Sequence, residues 1–513
     1  MGTMGEPDPG VEMEHGRFTF FAVLTSAALA CSALAGPGAT VAQARVPERV
    51  PAAPSDFNGD GYADLAVGAP GNNRGNGVVN VIPGGAHGLR AKASSAWSQD
   101  LPGVTGVADY DGFGAAVASA DFNRDGWADL AVGSPDDSRT ASSTGGVNVL
   151  YGSVHGLKGA GDQYWQPAAS GLPVGSRFGI ALATGDFDGD GYPDLAMGQS
   201  DPGRVLVVRG SATGLSQAGV VLAAEPYVTG FYGEALAAGD LNGDGFDELI
   251  VGAPLHDDST YWAGAVFIHA GSASGLAATA TVVTPPDVGV ADAGSSNFGR
   301  TISSGDFNAD GFDDLAVGAA DGMVGGFVAV IPGSVVGAAV SAAVIWTQET
   351  NGVPGVSESY DSFGGALASG NVTGDAADDL VIGIPGEKLT KRKGPGHGAI
   401  LVVPGKIGWG LTATASRGWT RDTPGVPGKP VLDDQFGAAL AIANYTGSSA
   451  LDLAIGTPGQ IFRPHADGGG SVTLLPGSAH GLTAKGSAVW SQASRGIAGS
   501  PGYRDNFGAA LTP

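Results

Sequence analysis

Oxygen-bearing side chains fall at alternate positions of one short stretch. Residues 56–70 read DFNGDGYADLAVGAP, which sets Asp56, Asn58, Asp60 and Asp64 at loop positions 1, 3, 5 and 9. Hard cations such as Ca²⁺ take roughly six to eight oxygens at about 2.3–2.6 Å, and this spacing lets one loop supply most of them. Gly61 stands at position 6, where a chain wrapping an ion turns sharply, and Tyr62 at position 7 would add its backbone carbonyl. An EF-hand would need a glutamate at position 12 between helices. Position 12 is instead Val67 here, and Val132, Met197, Val251 or Val317 in later copies, each inside an apolar run too short for a helix. The expectation is a cation loop flanked by strands.

The same spacing recurs. The second loop carries Asp121, Asn123, Asp125, Trp127 and Asp129; the third Asp186, Asp188, Asp190, Tyr192 and Asp194. The fourth has Asp240, Asn242, Asp244, Phe246 and Glu248, and the fifth Asp306, Asn308, Asp310, Phe312 and Asp314. Several carboxylates in one loop repel one another and call for a counter-ion. A sixth copy is weaker, with Asn371, Thr373, Asp375 and Asp379 and with Ala376 in place of the glycine. In a seventh only Asn444, Thr446, Ser448 and Asp452 remain, and a single carboxylate makes a poor Ca²⁺ cage. The reading is Ca²⁺ at five loops, weaker binding at the sixth and none at the seventh.

The loops begin at Asp56, Asp121, Asp186, Asp240, Asp306, Asn371 and Asn444, and repeating elements must position them. A Phe-Gly pair precedes each loop from the second onward: Phe113-Gly114, Phe178-Gly179, Phe298-Gly299, Phe363-Gly364 and Phe436-Gly437, with Tyr232-Gly233 in the fourth. After each loop comes a run such as AVGSP or IVGAP, then a glycine-bounded β run, then a segment ending near Trp97, Trp165, Trp346, Trp419 or Trp490. Four short strands per period, without helical periodicity, predict a propeller blade. The first loop lacks a Phe-Gly strand, and residues 506–513 read NFGAALTP, a Phe-Gly strand without a loop. The C-terminal strand is therefore expected to complete the first blade and close seven blades into a ring, which removes exposed sheet edges.

Phe-Gly, DxNxDGxxDL and VGAP, in fixed order, resemble the FG-GAP repeats of the integrin α-chain head. The resemblance covers about residues 55–513 and implies an all-β, seven-bladed β-propeller with Ca²⁺ in loops joining neighbouring strands of a blade. It also raises a hydrolase alternative, because similar propellers accompany phospholipase D-type enzymes and related ones occur among polysaccharide lyases.

The chain has 513 residues, a formal net charge of −25, 89 glycines and 43% hydrophobic residues. That much hydrophobic sequence excludes a disordered polymer. The acidic balance excludes nucleic acid as partner, since no cationic surplus exists to neutralise phosphates. Residues 1–44 read as a signal peptide, with Arg17 before an apolar segment over 18–35 and Ala42-Gln43-Ala44 as a cleavage site. A single-pass anchor, or lipidation at Cys31, the one cysteine, are the alternatives. Residues 45–54 form a linker, and 55–513 the propeller.

No GxSxG, HExxH or CxxC constellation appears, so no catalytic residue is assigned. His87, His155 and His480 share one turn slot, and the recurring tryptophans read as blade packing, with sugar stacking as the alternative. Lys388, Lys391, Arg392 and Lys393 form a basic loop on an acidic chain. The function expected is a secreted, calcium-binding, monomeric binding or adhesion module for an extracellular protein or glycan ligand, with no membrane span in the mature chain. A lectin-like propeller and a propeller enzyme remain as alternatives.

Overall fold

Seven four-stranded antiparallel sheets account for all the strands among the described residues. The computed structural model describes residues 52–106, 110–135, 144–167, 170, 172, 175–223, 230–256, 262–291, 293–321, 325–389, 396–459, 469–499, 502 and 504–512. These fall in the unit Arg49–Pro513. The expected leader, most of the linker, and Lys391, Arg392 and Lys393 lie outside the described residues.

Within a blade the strands follow chain order from the centre outward. The innermost strands of blades two to seven are Ala116–Ala120, Ser176–Gly185, Ala235–Gly239, Thr301–Gly305, Ala366–Gly370 and Ala439–Ala443, each packed on the next. Ala510–Leu511 takes the innermost place in blade one, between Ala439–Ala443 and Ala116–Ala120. The second strands, such as Leu65–Ala69, Asp129–Ser134 and Asp379–Ile384, are buried along their whole length. Their sequences are continuous apolar runs because each sheet is covered by a blade on both faces.

Phe-Gly and the glycine of the VGAP-type run meet at the seam between blades. A Cβ on Gly68 would lie 2.0 Å from the carbonyl oxygen of Gly114, and one on Gly133 or Gly252 2.0 Å from that of Gly179 or Gly299. Only glycine permits backbones to approach this closely. Beside them Phe113, Phe178, Tyr232, Phe298, Phe363, Phe436 and Phe507 are all fully buried.

The ring closes as the terminal half-repeat predicts. Val67 pairs with Leu511 and Gly68 with Ala510, antiparallel. The Thr512 hydroxyl accepts the Ala66 N–H at 3.1 Å, and Gly508 N–H donates to Gly68 O at 2.9 Å. From the seventh loop, the buried Tyr445 hydroxyl donates to Thr512 O at 2.8 Å. Blade seven thus fastens the strand that completes blade one.

Candidate metal centres

Position 1 folds each loop. Asp56 accepts the N–H groups of Gly59 and Asp60 on Oδ1 (2.7 and 3.1 Å) and of Gly61 on Oδ2 (2.8 Å). Asp240 does the same for Gly243, Asp244 and Gly245. Asp121, Asp186 and Asp306 each accept the position-6 glycine N–H at 2.9 Å. Position 5 accepts the N–H of position 7: Asp60 from Tyr62, Asp125 from Trp127, Asp190 from Tyr192, Asp244 from Phe246 and Asp310 from Phe312, at 2.9–3.2 Å.

Position 9 ties the loop to the rest of its blade. Asp64, Asp129, Asp194, Asp314, Asp379 and Asp452 are buried, and each accepts the N–H of a glycine beyond the third strand at 2.8–3.1 Å. Burial is the main reason their carboxyls titrate high. Asp64 and Asp194 are pushed up to about 7, Asp129 to about 8, and Glu248 to about 7. Asp314 and Asp379 are pushed up to about 6. Neighbouring carboxylates add to the rise, and hydrogen bonds from backbone N–H groups oppose it.

In the third loop, Asp186, Asp188 and Asp190 bring one oxygen each to within 4.8 Å of one another, a group that can hold a metal ion. In the fifth, Asn308 Oδ1 is buried without a hydrogen-bond partner while its Nδ2 donates to Asp314 at 3.4 Å. Both features fit a hard cation bound by oxygen. Arginines also reach two loops: Arg90 lies 2.6 Å from Asp60, and Arg209 2.7 Å from Asp188. The two degenerate loops use hydroxyls instead. Thr373 donates to Asp379 at 3.2 Å, and Thr446 to Asp452 at 3.0 Å. Asn371 Oδ1 accepts the Gly374 N–H, and the Asp375 carboxylate accepts that of Ala377.

Contacts between successive blades were not visible in the spacing. The aromatic at position 7 lies on position 4 of the preceding loop. A Cβ on Gly59 would come 2.9 Å from the Trp127 ring, on Gly243 2.8 Å from Phe312, and on Gly447 2.6 Å from Tyr62. Where position 4 is Arg124, its guanidinium sits 5.5 Å from the Tyr192 ring centroid. Where it is Ala309, the next blade carries Ala377 at position 7. Position 8 adds a latch: Asp247 accepts the Asp186 N–H at 2.8 Å, and Asp313 the Asp240 N–H at 3.2 Å. The turn joining third and fourth strands also rests on the preceding loop, as where Ser153 N–H donates to Phe57 O and Lys406 N–H to Phe307 O. Doubled acids at positions 8 and 9 were the available signal for the latch.

His87, His155 and His480 are exposed on those turns, and Lys388 is exposed. Trp165, Trp346 and Trp419 are buried, Trp97 and Trp490 half-buried, so the recurring tryptophans pack blades. Among the described residues no helix is long and apolar enough to cross a membrane.

The FG-GAP repeat family profile matches residues 52–81, 113–150, 178–208, 232–269 and 298–331, the five segments whose loops keep the full pattern. Phosphatidylinositol-glycan-specific phospholipase D of Homo sapiens is 35% identical over 28% of this chain and 19% of its own length. Integrin alpha-7 of Rattus norvegicus is 34% identical over 28% of this chain and 13% of its own. Integrin alpha-IIb of Mus musculus is 36% identical over 30% and 15%. The chain thus spans under a fifth of the length of these curated relatives. A rhamnogalacturonan lyase structure from Bacillus licheniformis aligns over 62% of this chain and 69% of that one, at 13% identity and a TM-score of 0.25, too slight a likeness to bear on activity. With the repeat motif at each seam and seven blades built on it, the chain is an FG-GAP repeat protein forming a seven-bladed propeller, distantly related to integrin alpha chains and to that phospholipase.

Proposed function

We propose that the chain is an exported, calcium-stabilised propeller that acts as an extracellular binding module. The observation that carries the metal part is the convergence of Asp186, Asp188 and Asp190 within 4.8 Å. The residues that would hold Ca²⁺ are positions 1, 3, 5, 7 and 9 of the first five loops, with position 7 contributing its backbone carbonyl. Bound there, Ca²⁺ supplies the positive charge that offsets carboxylate repulsion. Export rests on the apolar leader, and the absence of cysteine beyond Cys31 means that no disulfide shares the work of stabilisation.

The binding role rests on the architecture: a rigid ring whose loops vary from blade to blade while its seams do not. Calorimetric titration of chelator-treated protein with Ca²⁺, paired with melting curves, tests the metal. The expected result is saturable binding and a melting temperature that rises with Ca²⁺, because the ion binds the folded loops in preference to unfolded chain. A melt of verified calcium-loaded protein that chelator leaves unchanged overturns it. Pull-down with and without Ca²⁺ tests the module, and turnover of a phospholipid or polysaccharide would replace it with an enzyme.

A further inference from the structure

The turn between third and fourth strands departs from its repeat in blade six. In blades two, three, four and seven it reads GSVHGL, GSATGL, GSASGL and GSAHGL, in blade five GSVVGA and in blade one GGAHGL; where the serine is present, its hydroxyl donates to the carbonyl of the turn glycine at 2.6–2.7 Å. In blade six it reads GKIGWGL, one residue longer, with Lys406 in place of the serine. Gly408 and Gly410 both have left-handed backbones, at φ +69° and +75°, and hold Trp409 between them. The longer turn makes a second bond to the preceding loop, Gly408 N–H to Asn308 O at 2.6 Å, beside that from Lys406 to Phe307 O.

The consequence is an indole 79% exposed at the edge of a cavity. That cavity measures about 320 Å³, with Trp409, Val344 and Leu411 on its apolar side and Asn308, Asp310 and Asp314 on its polar side. Lys406 Nζ lies 5.2 Å from the Trp409 ring centroid. An exposed tryptophan offers apolar area at little entropic cost. Small-ligand pockets run from roughly 300 to 1,000 Å³, so this one suits a ligand of one ring.

We propose that this cavity, at the junction of blades five and six, is a saccharide subsite that takes a neutral pyranose. Trp409 provides the flat apolar face for the ring C–H groups. The Lys406 ammonium, beside the indole, donates to a ring hydroxyl, and the fifth loop, whose Asn308 and Asp310 would hold Ca²⁺, forms the polar wall. A cationic ligand fits less well, because an ammonium group already occupies the ring's surroundings. The site deepens the binding-module reading and rests on it.

The test uses the mature protein in Ca²⁺, with methyl glucoside, methyl galactoside, methyl mannoside and N-acetylglucosamine as probes, read by saturation-transfer NMR and tryptophan fluorescence. At least one probe is expected to bind saturably. Trp409→Ala should weaken it by at least about tenfold, and Trp409→Phe should retain part of the affinity. Trp262→Ala, at an exposed tryptophan of blade four, should leave it unchanged. Melting curves verify that each variant folds. Saturable binding by none of the probes, or undiminished binding by Trp409→Ala, overturns the proposal. Trp409-dependent binding of tetramethylammonium without any sugar overturns it in favour of a cation cage. Each of these leaves the calcium response of the melt standing as a separate result, so failure of the subsite is distinguishable from failure of the module.

Discussion

Gly243 has φ +71° and lies under the Phe312 ring of the next blade. An alanine there meets both a backbone conformation that L-residues resist and an atom 2.8 Å away. Gly243→Ala is expected to destabilise by about 1–3 kcal/mol, read from chemical denaturation. Part of that loss comes from the ring, so the penalty should shrink in a Phe312→Ala background; strictly additive effects would refute the seam contact. A second buried group sets a pH response. His269 accepts the Tyr232 hydroxyl on Nε2 at 2.7 Å and donates from Nδ1 to Ala277 O at 2.8 Å, an arrangement that requires the neutral ring. Burial lowers its affinity for a proton below the usual 6.5. The unfolded chain therefore binds that proton more readily, and the pair's contribution is present above pH 6.5 and lost as pH falls below it. Stability measured from pH 7.5 to 5 should fall more steeply in the parent than in His269→Gln. Parallel curves would refute the assignment.

Elements are joined across blades by side chains that reach into a neighbour's backbone. Asp313 accepts the Asp240 N–H, and an alanine there leaves that N–H without its partner. Asp313→Ala should cost about 1–2 kcal/mol, whereas Asp313→Asn keeps an acceptor and removes a buried charge, so it should stay within about 0.5 kcal/mol of the parent. Equal losses in the two variants, measured in saturating Ca²⁺, would mean that the latch is not a hydrogen bond. The loops themselves were legible in the sequence because their chemistry is local: position 1 captures N–H groups three to five residues on. The latch was not, because Asp247 and Asp186 are 61 residues apart and belong to different repeats.

For the whole molecule, closure depends on a two-residue strand and a few hydrogen bonds. Tyr445→Phe removes one buried bond, to Thr512 O, and should cost about 1 kcal/mol. Deleting residues 507–513 also removes the buried Phe507 ring and bares the edge of Leu65–Ala69. Loss of such a ring alone costs about 3–5 kcal/mol, and an open apolar edge invites strand pairing between molecules. The truncated chain is expected to melt lower and to aggregate in light scattering. A monomeric ring with the parent's melt would mean that closure contributes nothing.

Blade count, loop pattern and closing strand can all be read from the chain alone. Each follows from spacing within one repeat or from counting strand types along the chain. The tertiary structure decided what lies between repeats: which glycine faces which ring, and which acid reaches which N–H. It also decided which tryptophans are covered. Trp419 stands in a repeated slot and is buried, while Trp409, outside any repeated slot, is exposed. Burial of an indole depends on what the next blade places over it, and residues some sixty positions apart leave no local signature of that meeting.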